Sequence, residues 1–169
     1  MRIFLIGFMG SGKSYTGKRL AAALHLPFTD LDALIEKQQG RSVQEIFRDE
    51  GELAFRQMEQ TALRETATFA EAIIACGGGT PCFTDNMEWM NAQGITVYLQ
   101  TPVEVLAQRL LPEMAQRPLL HGLDETSLPA FIAEKLAFRE SWYLQAQITA
   151  RVPEALEEML LELKKQMER

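Results

Sequence analysis

Met1-Arg-Ile-Phe-Leu-Ile6 runs straight into Gly7-Phe-Met-Gly-Ser-Gly-Lys-Ser14, and Lys18-Arg-Leu-Ala-Ala-Ala-Leu24 follows. The first stretch is a short apolar run of the kind that suits a strand buried on both faces of a parallel sheet. The last is rich in strong helix formers. Between them the octet fits the spacing G-x-x-x-x-G-K-[ST] at every fixed position. Gly7, Gly10 and Gly12 let the backbone bend around an anion and turn its N–H groups inward. The helix that follows adds the positive end of its dipole. In such a loop Lys13 reaches the β- and γ-phosphates, and the Ser14 hydroxyl takes a place in the shell of a Mg²⁺ ion. Strand, turn and helix together predict a nucleoside triphosphate site rather than an ordinary glycine-rich turn.

Composition narrows the remaining choices. At 169 residues and 47% hydrophobic, the chain is long enough for one domain, residues 1–169, with a full core. A net charge of −6 argues against a general nucleic-acid surface, which wants clustered positive charge. Cys76 and Cys82 have five residues between them, three of them glycine, which fits neither a metal knuckle nor a disulfide framework. Both are expected as reduced thiols. The apolar N-terminus is too short for a signal-peptide core, and no stretch approaches a membrane span. The expected location is therefore cytoplasmic, with no nucleic acid or membrane partner. Of the 11 glycines, four fall in residues 7–17 and three in residues 77–79, so glycine is concentrated at two places.

The pattern alternates strand and helix. Strands are predicted near 2–6, 27–30, 72–76, 95–99 and 146–149, and helices over 13–24, 31–39, 42–66, 85–92, 102–110, 127–145 and 153–167. The third helix should break near Gly51. Ser42 with Glu45 forms a capping box, and Thr84 with Glu88 a less regular one. Pro102 and Pro153 occupy first-turn positions. Alternation of this kind implies a parallel sheet with helices on both faces and ligands at the carboxyl ends of the strands.

Two of those ends stand out. Phe28-Thr-Asp-Leu-Asp32 closes the second strand, and on an extended segment its two carboxylates point the same way, toward the glycine-rich loop. Asp30 then suits a metal shell and Asp32 a substrate hydroxyl, while a helix N-cap at Asp32 is the simpler alternative. Cys76-Gly-Gly-Gly-Thr-Pro81 closes the third strand, where three glycines allow a ligand close to the backbone or simply form a flexible turn. Arg56 stands four residues after Glu52 and three before Glu59, spacing equally suited to an exposed helix ion-pair set. Arg139 falls in phase with Leu128, Ile132, Leu136 and Tyr143 on one helix face, where an arginine either meets an anion or snorkels at the core edge. Arg109 and Arg117 flank a proline-containing stretch, Leu110 to Pro118, predicted to be a mobile loop. Either could close on triphosphate oxygens. His25 and His121 have no partner at catalytic spacing.

Taken in order, Gly7–Ser14, Asp30-x-Asp32, Phe55-Arg56 with Glu59, Gly77-Gly78-Gly79, Arg117-Pro-Leu-Leu120 and Arg139-x-x-x-Tyr143 make the chain resemble shikimate kinases along nearly its whole length. The resemblance implies a P-loop NTPase fold of the nucleoside-monophosphate-kinase type, an α/β fold whose five-stranded parallel sheet runs in the order 2-3-1-4-5. It implies a mobile lid over roughly 111–125 and substrate-binding helices over roughly 31–66. It also implies ATP- and Mg²⁺-dependent phosphorylation of the 3-hydroxyl of shikimate, on the way to chorismate and the aromatic amino acids, by an enzyme expected to be a monomer. Carried over position by position, Asp32, Arg56, Gly78, Gly79 and Arg139 match the shikimate contacts, with Phe47, Phe55 and Glu59 behind them. Gly10, Ser11, Gly12, Lys13 and Ser14 match the phosphate loop, with the Tyr15 N–H beside them. Ser14 and Asp30 match the metal site, and Arg109, Arg117, Arg151 and Pro153 the nucleotide contacts. Lys13, Asp32 and Arg117 carry the catalytic roles, Asp32 either taking the hydroxyl proton or orienting it. The chain departs from the family pattern at Tyr15, where Thr is usual, at Leu31, and through Leu111–Gln116. A gluconate kinase or nucleoside monophosphate kinase of the same fold, or a non-enzymatic nucleotide switch, are the rival readings.

Overall fold

The computed structural model describes residues 1–152 and 156–167. Pro153, placed above at a helix start and among the nucleotide contacts, lies outside the described residues. Five strands pair in the order β2-β3-β1-β4-β5, all parallel. They are β1 (Arg2–Ile6), β2 (Phe28–Asp30), β3 (Ala72–Ala75), β4 (Ile95–Gln100) and β5 (Ile148–Arg151). The helices are α1 (Lys13–Leu24), α2 (Leu31–Gln39), α3 (Val43–Glu65), α4 (Asn86–Gln93), α5 (Val103–Leu110), α6 (Leu128–Tyr143) and α7 (Leu156–Met167). Among the described residues, no helix is long and apolar enough to cross a membrane.

Side chains on a strand alternate faces, and a sheet with helices on both sides must bury both. That is why β1 is apolar without a break from Ile3 to Ile6. Ile3 and Leu5 pack with Val97, Leu99, Leu20 of α1 and Leu163 of α7. Phe4 and Ile6 pack on the opposite face with Ile74, Tyr98, Ile35, Leu63 and Ile132. Full burial of each such side chain is worth about 1.5–3 kcal/mol, so a charge at Phe4 or Leu5 would be costly on either face.

Most element boundaries fall within a residue or two of the sequence expectation, and the departures have local causes. The last strand begins at Ile148 rather than at Ala146, because the Ala146 N–H is still bonded to Tyr143 O in the turn that ends α6. Pairing Val97 with Ile148 then sets its register. The Ser42–Glu45 capping box is present, with Ser42 N–H donating to Glu45 Oε2 at 2.7 Å. No such box forms at Thr84, whose positive φ of 48° turns its hydroxyl to Gln60 Nε2 at 2.6 Å. Inside α3 the backbone leaves helical geometry at Gly51 (φ 84°, ψ 176°), the expected break. The stretch predicted as a loop after α5 instead winds into two 3₁₀ turns, Leu111–Gln116 and Pro118–Leu120, each with a proline at its start. Proline's fixed φ suits a first turn.

Candidate active site

The loop after β1 is made almost entirely of backbone. Gly10 (φ 80°) and Gly12 (φ 87°) take left-handed conformations that side chains disfavour. Gly12 is also the N-cap of α1 and has no side chain to cap it, so the first-turn amides are left for an anion. Lys13 lies over the loop, donating to Gly7 O at 2.8 Å and Phe8 O at 2.9 Å. Burial lowers the Lys13 pKa to about 8, with Arg117 adding repulsion and Asp32 opposing the shift. Around this loop opens a cavity of about 830 Å³, bordered by Asp30, Asp32, Arg109, Arg117 and Val152. Tyr15 borders it too, with its ring largely exposed and its hydroxyl accepting from Arg19 Nη1 at 3.1 Å.

Asp30 and Asp32 do not share an extended segment. α2 starts at Leu31, which puts Asp32 inside its first turn and makes Asp30 the N-cap. Asp30 Oδ1 accepts from Asp32 N at 3.1 Å and from Ala33 N at 3.3 Å, while its Oδ2 accepts from Ser14 Oγ at 2.5 Å. Capping therefore belongs to Asp30, not Asp32. The Asp30–Ser14 pair puts two hard oxygens at the mouth of the phosphate loop. That donor set fits Mg²⁺, which is commonly held by one or two protein oxygens together with substrate phosphates and water. Among the described residues no cluster of three or more His, Cys, Asp or Glu side chains could hold a metal by itself. Asp32, freed from capping, has one buried oxygen, Oδ1, without a hydrogen-bond partner. Burial, with the Glu59 and Asp30 charges added, raises its pKa to about 7, against the pull of Lys13 and Arg56.

A second cavity of about 410 Å³ adjoins the first and shares Met9, Asp32, Glu36, Gly77, Gly78 and Arg117 with it. Its floor holds two arginines, Arg56 and Arg139, each only 8% exposed. Arg56 is ion-paired through Nη1 to fully buried Glu59 at 2.8 Å and through Nη2 to Glu52 at 3.3 Å. The ion-pair reading of that helix spacing thus holds, but in a buried setting. Glu59 is fixed in turn by the Thr80 hydroxyl at 2.6 Å. Arg139 lies over the Phe8 ring at 5.4 Å, and its Nη1 is buried with no partner. Of the two, Arg139 keeps more unspent hydrogen-bonding capacity. Phe47 and Phe55 form one wall with ring centroids 4.8 Å apart, and Gln116 to Leu119 form the roof.

The triple glycine has a use that its sequence did not disclose. A Cβ on Gly77 would stand 2.4 Å from Glu59 Oε1, and one on Gly79 2.4 Å from Arg56 Nη2. At Gly78 the nearest atoms would be Met9 N at 3.1 Å and Arg139 Nη1 at 3.4 Å. The bare turn makes room for the arginine cluster, and Tyr143 OH donates to Gly78 O at 2.5 Å to pin it.

Other expected residues are placed less centrally. Arg109 is exposed and donates to Gly10 O at 3.2 Å. Arg117 donates to Glu113 Oε2 through Nε at 2.9 Å and Nη2 at 2.5 Å. Arg151 lines a separate cavity with Glu158 and Glu162, and its neighbour Val152 borders the phosphate loop instead. Cys76 and Cys82 are free thiols, as expected. His25 is a left-handed C-cap of α1, and His121 reaches only Ala115 O, so neither joins the site. Met9, Glu36 and Leu119 were missed. Glu36 was findable, since it lies one helical turn beyond Asp32 on α2; Met9 and Leu119 lie within the quoted motifs at positions with no chemistry-bearing side chain.

A family model described as "Shikimate kinase" matches residues 9–168. The chain is 49% identical over 148 residues to a shikimate kinase of Parabacteroides distasonis, covering 88% of this chain and 86% of the relative. Among solved structures, a shikimate kinase from Bacteroides thetaiotaomicron superposes with a TM-score of 0.88 at 40% identity, covering 100% of this chain and 99% of that one. A shikimate kinase from Acinetobacter baumannii in complex with shikimate also gives a TM-score of 0.88, at 32% identity over 98% of this chain and 92% of the other.

Proposed function

The chain belongs to the shikimate kinase family, and from that premise we infer that it transfers the γ-phosphoryl group of ATP to the 3-hydroxyl of shikimate. Family membership removes support for the gluconate-kinase and nucleotide-switch readings. The observation that carries the residue assignments is the pairing of two cavities across Asp32, one backbone-lined and built for phosphate, the other floored by arginines.

Shikimate has one carboxylate and three hydroxyls on a compact ring. Arg139, with its unpartnered Nη1, and Arg56 hold the carboxylate through planar, charge-assisted hydrogen bonds. The Phe47–Phe55 wall takes the ring, and the backbone of Gly78 and Gly79 lies against its hydroxyls. The 3-hydroxyl is held at Asp32, between the two cavities. At pH near its raised pKa the Asp32 carboxylate is poised to accept that proton or to aim the oxygen at the γ-phosphorus. Phosphoryl transfer demands chiefly positioning and charge stabilisation. Lys13 exchanges its two carbonyl partners for phosphate oxygens, the Gly10–Tyr15 amides hold the phosphates, and Arg117 approaches from the roof. Arg109 flanks the nucleotide beside Gly10. Ser14 and Asp30 would hold Mg²⁺, which would supply positive charge to offset that of the phosphates. Closure of the segment from about 111 to 125 keeps water from competing with the hydroxyl.

The test is acceptor-dependent ATP consumption, with shikimate compared against gluconate and nucleoside monophosphates. Turnover should require shikimate and Mg²⁺ and give a product phosphorylated at the 3-oxygen. Equal turnover with gluconate would overturn the acceptor assignment.

A further inference from the structure

Both cations proposed for the γ-phosphate are already occupied by protein acceptors, but of different kinds. Lys13 rests on two neutral carbonyls, Gly7 O and Phe8 O. Arg117 rests on a carboxylate: its Nε and Nη2 converge on the single oxygen Oε2 of Glu113, at 2.9 and 2.5 Å. Glu113 and Arg117 both border the phosphate-loop cavity, and Arg117 also roofs the acceptor pocket. They are four residues apart across the 3₁₀ turn Leu111–Gln116. The same turn is tied to the acceptor side, because Gln44 Nε2 donates to Gln116 O.

Carbonyls release an ammonium at little cost when a better acceptor arrives. A carboxylate holds a guanidinium more strongly and also repels the incoming triphosphate. We propose that Glu113 is a positioning residue that stands in for the γ-phosphate, holding Arg117 until ATP displaces it. This rests on the reading of Arg117 as a phosphate contact. Two consequences follow. Displacing Glu113 uses part of the ATP binding energy, so the pair weakens apparent ATP affinity. For as long as the pair persists beside a bound nucleotide, Nε and Nη2 of Arg117 are withheld from the γ-phosphate, which restrains hydrolysis by water. The Gln44–Gln116 tie keeps the turn over the acceptor pocket while Arg117 changes partner.

The test compares the parent with E113Q, R117Q and the double variant. It measures calorimetric binding of a non-hydrolysable ATP analogue with Mg²⁺, ATP hydrolysis without shikimate, and kcat and KM with it. Thermal melts confirm that each variant is folded. E113Q should tighten analogue binding by about twofold to fivefold, the worth of a half-exposed ion pair. It should raise acceptor-independent hydrolysis by a similar factor and leave kcat with shikimate within about twofold. In the R117Q background the Glu113 change should tighten binding much less than in the parent, leaving only the loss of its direct repulsion of the triphosphate. The proposal falls if E113Q lowers kcat without tightening the analogue, since Glu113 would then support Arg117 in the working arrangement. It also falls if E113Q changes nothing, or if it tightens binding equally without Arg117, which would indicate a general field of negative charge. R117Q that binds the analogue as well as the parent removes the phosphate role of Arg117, and this inference with it. Weakened R117Q beside an unaltered E113Q removes this inference alone.

Discussion

The phosphate loop and the acceptor pocket lie side by side at the carboxyl edge of one sheet, yet they are made of different material. The loop is eight consecutive residues whose working parts are amides, one lysine and the Ser14 hydroxyl, shaped by left-handed glycines. Few of its side chains matter, which is why Tyr15 can point into solvent there. The pocket draws Asp32 from α2, Arg56 and Glu59 from α3, the bare turn after β3, and Arg139 from α6. Apart from the backbone of Gly78 and Gly79, its working parts are side chains or the space left for them. A site made of backbone is specified by local conformation, whereas a site made of side chains is specified by packing. Changes in the two regions should therefore fail differently.

The largest effect is expected at the lysine of the loop. Lys13→Met should lower kcat about 1000-fold, the upper range for loss of a donor to developing charge. The thermal midpoint should stay near that of the parent, because Lys13 makes only loop contacts. Residual turnover close to the parent level would break the assignment of the loop as the catalytic phosphate site.

Asp32 stands on the boundary between the regions. Asp32→Asn should reduce turnover about 100-fold by removing the charge that orients or deprotonates the hydroxyl. Its effect on stability has a sign that can be worked out. The folded carboxyl titrates at about 7 and the unfolded one near 3.8, so between those values only the unfolded chain releases the proton. The parent therefore loses stability as pH rises through that window, and the Asn variant does not. Melting curves should show Asp32→Asn more stable than the parent at pH 8, with the gap closing toward pH 4. A variant less stable than the parent at pH 8 would return Asp32 to a structural role. In the free parent enzyme, kcat/KM should rise as pH approaches about 7 and fall above about 8, where Lys13 loses its proton.

Arg139→Lys sharpens the comparison from the pocket side. It keeps the charge and loses the planar fork, so apparent shikimate affinity should fall about tenfold, roughly 1.4 kcal/mol. ATP binding measured alone should barely change. If both ligands weaken alike, the two regions are not separate in the way described.

The smallest change tests whether empty space is part of the site. Gly79→Ala places a Cβ against the Arg56 guanidinium, and forcing such a contact costs about 1–3 kcal/mol. Shikimate KM should rise severalfold as Arg56 shifts, while the ATP KM stays put. An unchanged shikimate KM would mean the turn can yield without moving the arginine.

The distinction between regions also explains what could be read before folding. The loop, the strand ahead of it and the helix behind it were legible because their conformations follow from neighbouring residues. So were the Ser42–Glu45 capping box and the break at Gly51. Sequence periodicity placed Arg139 on an apolar helix face, and the structure buries it there. The reading went astray where one residue decides a helix start. A carboxylate at Asp30 and one at Asp32 can each cap, and extended spacing suggested a shared direction. Only the bonds from Asp32 N and Ala33 N to Asp30 settle which residue caps. The triple glycine was conspicuous, but the atoms it accommodates belong to α3, α6 and the phosphate loop, all more than a dozen residues away.

By itself, then, the amino-acid order determined the alternating architecture, the phosphate loop and the residue types available to an acceptor site. Local sterics and side-chain periodicity act over a few residues and can be read in one dimension. Tertiary structure alone decided that Asp30 caps and Asp32 is free, that Arg56 is committed to Glu59 while Arg139 keeps an open donor, and that Arg117 is held by Glu113. Those outcomes depend on desolvation and on which charges meet across elements, and both arise only when the helices close over the sheet.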